Sequence, residues 1–206
     1  MNTVRKTILL TGLLLTSAAA NADFSANIGY ASEYYYRGFF QKNSSASAGL
    51  DYESGGFYVG TWAADVGDGL EVDLYGGYGA DIGDLSLSVG FTGYYYTGDF
   101  DDTYQEINLG AGFSGFSLDV AIGEYDNFDG PTQDYTYASL TYEANGFYGK
   151  YAAFSQDFDG SYFEAGYGTT VAEIDLGIAL IFPDKDITGD DGDEAIVFSI
   201  GKSFDL

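Results

Sequence analysis

Leu70-Glu71-Val72-Asp73-Leu74-Tyr75-Gly76-Gly77-Tyr78-Gly79-Ala80-Asp81-Ile82-Gly83-Asp84-Leu85-Ser86-Leu87-Ser88-Val89-Gly90-Phe91-Thr92 is two alternating runs joined by a Gly-Asp pair. Leu70, Val72, Leu74, Gly76, Tyr78, Ala80 and Ile82 interleave with Glu71, Asp73, Tyr75, Gly77, Gly79 and Asp81. After the pair, Leu85, Leu87, Val89 and Phe91 interleave with Ser86, Ser88, Gly90 and Thr92. Successive side chains of a strand point to opposite faces, so this period of two marks strands with one oily and one wet face. Gly-Asp accepts the positive φ of a tight turn, and the stretch reads as a β-hairpin.

The same pattern repeats outward in both directions. Short turns stand at Ser54-Gly55-Gly56, Gly83-Asp84, Ser114-Gly115, Asn145-Gly146 and Ala172-Glu173. Between them lie longer acidic connections, near 38–43, 66–69, 98–102, 126–133, 157–160 and 183–193. Five short turns alternating with six longer loops imply twelve strands, with both chain ends on the short-turn side. They are expected near 24–37, 44–53, 57–65, 70–82, 85–97, 103–113, 116–125, 134–144, 147–156, 161–171, 174–182 and 194–206.

Two architectures carry such strands. A soluble β-sandwich would use the oily face as a core and put charges of both signs on the other. Here the wet face holds Gly, Ser, Asn, Asp and Glu, positive charge is almost missing, and the formal net charge is −25. Aromatic residues gather at the strand ends. Tyr34, Tyr36, Phe40, Trp62, Tyr95, Phe100, Tyr104, Tyr137, Phe154 and Phe182 lie near the loops. Phe24, Tyr52, Phe57, Phe113, Phe116, Tyr142, Phe147 and Phe204 lie near the short turns. Two aromatic belts suit two membrane interfaces. The fold expected is all-β, a transmembrane antiparallel up-and-down β-barrel of about twelve strands.

The chain ends agree with this. Residues 1–22 open on Arg5 and Lys6, continue through the apolar run Ile8-Leu9-Leu10-Thr11-Gly12-Leu13-Leu14-Leu15, and finish on Ala18-Ala19-Ala20-Asn21-Ala22. That order is a secretory signal cleaved before Asp23, because the run is shorter than a membrane-spanning helix needs. Residues 23–206 then form one barrel domain, expected in the outer membrane of a Gram-negative bacterium. The segment Ser199-Ile200-Gly201-Lys202-Ser203-Phe204-Asp205-Leu206 is similar to the C-terminal signal read by the outer-membrane assembly machinery. Gly201, Phe204 and Leu206 carry that likeness; the last position is more often phenylalanine.

Several functions are excluded by what the chain lacks. With no histidine and no cysteine, it has neither the usual general base, nor a thiolate, nor the commonest transition-metal ligands. An enzyme is not expected, nor is a cofactor. The acidity repels nucleic acid. The loop clusters Asp99-Phe100-Asp101-Asp102, Asp157-Phe158-Asp159-Gly160 and 184–194 offer oxygen ligands, but none completes a twelve-residue calcium loop. They read as solvated acidic loops, and no metal site is assigned.

If one face meets lipid, the other lines a lumen. Glu33, Asp51, Glu53, Glu71, Asp73, Asp81, Glu106, Asp119, Glu143, Glu164 and Asp175 then point inward, since a carboxylate facing hydrocarbon costs several kcal/mol. Inward tyrosines such as Tyr35, Tyr75, Tyr94 and Tyr96 narrow the tube. Arg37, beside Glu33, is the one cation of the first strand and is expected in a buried pair fixing the first loop near the mouth. A tube lined by one sign of charge draws counterions. The function expected is a porin-like channel for ions or small solutes that prefers cations. The alternative is a closed, non-conducting barrel that displays its acidic loops to a partner. The partners expected are outer-membrane lipid, the assembly machinery, and small solutes or cations.

The N-terminal hairpin Asn27-Ile28-Gly29-Tyr30-Ala31-Ser32-Glu33-Tyr34-Tyr35-Tyr36-Arg37-Gly38-Phe39-Phe40-Gln41 resembles the opening of the TorF family of proposed porins. There a strand ending in Tyr-x-x-Arg-Gly-x-x-Gln follows the signal peptide. The resemblance implies an outer-membrane barrel over the mature chain.

Overall fold

The computed structural model describes residues 23–189 and 194–206. The proposed signal segment and the middle of the last acidic loop lie outside the described residues. Twelve strands follow one another: β1 (Asp23–Tyr36), β2 (Phe39–Ser54), β3 (Phe57–Gly67), β4 (Gly69–Ile82), β5 (Leu85–Tyr96) and β6 (Tyr104–Phe113). Then come β7 (Phe116–Tyr125), β8 (Gln133–Ala144), β9 (Phe147–Gln156), β10 (Ser161–Val171), β11 (Ile174–Pro183) and β12 (Ala195–Asp205), with the one-turn helix α1 (Lys185–Thr188) before β12. Every strand pairs antiparallel with its sequence neighbours. β1 closes the sheet on β12, from Ser25 opposite Asp205 to Ala31 opposite Ser199. The result is the expected closed twelve-stranded barrel, which leaves no open sheet edge for lipid to meet.

Alternation sorts the two faces as the sequence predicts. Leu74, Ile107 and Phe198 are more than half exposed on the outer wall, whereas Glu71 and Glu106 inside are no more than 2% exposed. An outer wall of Leu, Ile, Val and Phe is stable when hydrocarbon surrounds it. At the short-turn end, Phe24–Tyr52, Phe57–Tyr78, Phe116–Tyr142 and Phe147–Tyr167 form ring pairs between neighbouring strands, with centroids 4.6–4.8 Å apart. These pairs make one aromatic girdle.

The loop end differs from expectation in two ways. First, two of the six long connections are tight. Residues 38–43 belong mostly to β2, and β1 turns into it through Arg37 (φ 49°) and Gly38 (φ 89°), both at the positive φ of a type I′ hairpin turn. Only Asp68 separates β3 from β4. Second, most of the loop-side aromatic belt faces inward. Phe40, Tyr95 and Phe182 stay on the outer wall, but Tyr34 and Tyr137 are buried, with Tyr36, Trp62, Phe100 and Phe154 packed beside them. The buried side chains of this barrel therefore lie in the loop-side half of its lumen.

Candidate functional site

The tip of the β1–β2 hairpin does not continue the barrel wall. Inward residues of β1 are odd-numbered through Asn27 and Ala31, yet Tyr34 and Tyr36 both reach into the lumen. Two irregularities on β2 accompany the switch: Ser44 has φ 64°, and the register steps from Tyr34–Lys42 to Tyr35–Phe40, leaving Gln41 over. Bulges of this kind bend a strand pair and re-aim its side chains. The bent tip crosses the mouth. Gly38 lies so close to β10 and α1 that a Cβ there would stand 2.8 Å from the Tyr162 ring and 3.1 Å from Ile187. Phe39 packs against Phe154 of β9, with ring centroids 5.6 Å apart.

Arg37, at the tip, reaches Glu106 of β6 in the loop-side lumen. Nη1 donates to Glu106 Oε2 at 2.8 Å and Nη2 to Oε1 at 2.7 Å, a two-pronged ion pair. Glu106 also accepts from Tyr94 (2.9 Å), Tyr135 (2.8 Å) and Asn108 (2.6 Å). The guanidinium carbon lies 4.3 Å from the centre of the Tyr137 ring and 5.0 Å from that of Tyr36. A buried charge is tolerated when it is paired and its remaining hydrogen-bonding capacity is filled, and both conditions hold here.

Two smaller clusters are also built around a buried carboxylate that accepts from tyrosines, the second with a cation. Glu71 accepts from Tyr34 at 2.6 Å and Tyr96 at 3.1 Å. Glu164 pairs with Lys150 at 3.0 Å and accepts from Tyr148 at 2.5 Å, while the Lys150 ammonium stands 5.5 Å from the Tyr162 ring centre. Nearer the loops, Asp101 accepts from Tyr104 and Tyr125, and Tyr137 and Tyr162 share a 2.9 Å hydroxyl contact. Together these side chains plug the loop-side lumen.

The plug is also tied to the rim. Asp184 caps α1 and accepts from the Ser161 backbone N–H (2.7 Å) and hydroxyl (2.9 Å). Partial burial pushes its carboxyl up, but these donors from Ser161 and the amides of Asp186 and Ile187 outweigh that and hold it below the usual aspartate range. Ile187 of α1 is consequently seated against Gly160 and the hairpin tip.

Below the plug a cavity of about 430 Å³ extends toward the short turns. Of the residues the sequence assigned to the lumen, Tyr35, Arg37, Asp51, Glu53, Asp73, Tyr75, Tyr94, Glu106, Asp119 and Asp175 line it. Glu71 and Glu164 face inward but belong to the packed layer above. Asp81, which accepts from Ser86 at 2.7 Å, and Glu143 are exposed near the short turns. Glu33 falls where β1 changes facing and is not among the lining residues. Arg37 is in a buried pair as expected, but its partner is Glu106 across the lumen. Of the C-terminal signal residues, Gly201 lines the cavity beside Gly29 of β1, while Phe204 and Leu206 are exposed at the end of the chain.

Sequence reasoning placed Trp62 in the outer belt and passed over Tyr58 and Lys150. Alternation could have found all three, since Tyr58, Gly60 and Trp62 share a face with Ala64, and Tyr148 and Lys150 share one with Ala152. Among the described residues, no group of acidic side chains is arranged to hold a metal ion.

The architecture can be compared with solved structures. An outer-membrane channel of the COG4313 group from Pseudomonas putida F1 superposes with a TM-score of 0.58 at 8% identity, covering 96% of this chain and all of that one. A structure from work on in-meso crystallization of membrane proteins gives 0.61 at 11% identity, over 89% of this chain and 84% of the other. The NanC porin gives 0.50 at 13% identity, covering 89% of this chain and all of its own. At such identities the likeness is one of fold, the fold of outer-membrane porins and channels. No curated protein matches the sequence. The TorF name suggested by the first hairpin is not confirmed, because the family whose model fits is Gcw_chp, described as a bacterial protein of unknown function, matched over residues 16–204. The chain belongs to the Gcw_chp family.

Proposed function

We propose that this barrel sits in the bacterial outer membrane, reached through the signal segment 1–22 and the assembly machinery, and serves as a narrow channel for small solutes that prefers cations. One observation carries the reading. The cavity below the plug is lined by Asp51, Asp73, Asp119 and Asp175, none of which has a salt-bridge partner among the described residues. Inside a low-dielectric tube, such a surplus of one sign concentrates counterions.

A second reading has its own observation: the plug around Arg37 and Glu106 favours a closed barrel that displays acidic loops. Recording the refolded protein in a planar bilayer under a salt gradient separates the two. Discrete openings with a reversal potential shifted toward the cation value support the channel. A silent barrel, verified as folded, supports the closed form. Open channels with no shift, or with an anion shift, would remove the selectivity.

A further inference from the structure

Among the described residues, Arg37 and Lys150 are cations buried in the lumen, each held by one carboxylate and by tyrosine rings. Arg37 has Glu106 with Tyr137 and Tyr36; Lys150 has Glu164 with Tyr162. Around Asp73 the cavity offers the same two ingredients, and Asp73 has no salt-bridge partner among the described residues. On β4, Asp73 stands directly opposite Trp62 on β3 and Tyr94 on β5, so one carboxylate is flanked by two aromatic residues in a single row around the wall. All three line the cavity. Asp73 Oδ1 is fully buried and finds no hydrogen-bond donor among the described residues. With no protein donor on that oxygen, the carboxylate is left uncompensated beside the cavity, which favours a cation there.

We infer that the cavity is a binding site for a small organic cation, an alkylated ammonium whose charge meets Asp73 and whose methyl or methylene groups meet the Trp62 and Tyr94 rings. Aromatic faces attract cations through the ring quadrupole, and indole does so best. A cavity of about 430 Å³ matches pockets that take small molecules. The cavity reaches Ser25, Glu53 and Ser203 toward the short-turn end, which gives the ligand an approach that avoids the plug. Groups facing Asp73 include Glu71 and Glu106, which add negative potential, and Arg37, whose guanidinium is already engaged by Glu106. The inference rests on the channel reading for its cargo sense, but the site itself is tested without current.

Trp62 is the single tryptophan of the chain and reports on the cavity directly. Refolded protein in detergent, at constant ionic strength in sodium chloride, is titrated with choline and, separately, with 3,3-dimethylbutan-1-ol, its uncharged carbon isostere. A saturable change in Trp62 emission with choline, absent with the alcohol and weakened about tenfold or more by Asp73→Asn, supports the site. Equal responses to both compounds, no response to choline, or full affinity in folded Asp73→Asn overturns it. The wild-type comparison decides the matter even where Asp73→Asn fails to fold. A barrel that binds choline yet passes no current would remove the channel and keep the site; one that conducts without a saturable response would do the reverse.

Discussion

Replacing Arg37 by alanine strikes the point where the hairpin tip meets the far wall. The wild-type guanidinium makes two short bonds to a carboxylate whose side chain has no exposed surface. Removing one partner of a buried pair costs about 3–5 kcal/mol because the other charge stays behind. Glu106 retains Tyr94, Tyr135 and Asn108 as donors, which places the electrostatic loss near the lower end, about 3 kcal/mol. Losing the guanidinium from above the Tyr137 and Tyr36 rings adds about 0.5 kcal/mol for each. The expected total is about 4 kcal/mol, close to a thousandfold in the unfolding constant. Urea unfolding of protein refolded into phospholipid vesicles, followed by Trp62 emission, measures it. Arg37→Ala, Glu106→Gln and the double variant close a thermodynamic cycle in which the two changes fall short of additivity by about 2 kcal/mol or more. A loss below about 1 kcal/mol with additive effects would mean that the pair behaves as a solvated surface contact, and the plug as described would not exist.

Other perturbations test separate parts of the structure. Gly38→Val forces a β-branched residue to φ 89° and drives its Cβ into the Tyr162 ring; because Tyr162 is only 2% exposed and cannot move aside, a loss of about 2 kcal/mol or more is expected in the same unfolding assay, with larger single-channel conductance if the tip lifts. Gly77→Ala and Gly90→Ala both press on the Tyr58 hydroxyl, but a Cβ at Gly77 also drives into the Val89 carbonyl, whereas one at Gly90 stands 3.0 Å from the Gly76 carbonyl. A Tyr58→Ala background should therefore recover more of the loss at Gly90→Ala than at Gly77→Ala, as read by thermal unfolding. The carboxylate of Asp184 has a folded-state pKa below its unfolded one, so its contribution to docking α1 is present above the unfolded value of about 4 and lost as pH falls through the folded one. Hydrogen-exchange protection factors at the Ile187 and Thr188 amides should fall over that acid range in the wild type, whereas in Asp184→Ala they should be low and free of this pH step.

How much was legible follows from what each signal encodes. The hairpin of β4 and β5 is correct to the residue at its turn, because alternation and Gly83-Asp84 are both local. The same logic gave the strand count and the inward placement of Asp51, Asp73, Glu106 and Asp119. It failed at the loop end. The acidic and polar residues around Asn43 and Asp68 look like loops, but a polar strand that projects past the membrane has the same composition as a loop. Tyr34, Tyr36 and Trp62 look like an interface belt, yet a tyrosine at a strand end can lie against lipid headgroups or turn inward toward a carboxylate.

Which face a residue takes is settled by the pleat of its own strand, so the chain alone determined a closed oily-out, acidic-in barrel with both ends at the short turns. Which inward residues touch one another depends on closure, strand stagger and two irregularities on β2 that bend the first hairpin across the mouth. Arg37 and Glu106 are 69 residues apart and meet only because the cylinder has closed and the hairpin has folded into it. The plug, the cavity beneath it and the unpartnered face of Asp73 are products of that tertiary arrangement, because contacts across a lumen have no counterpart in local periodicity.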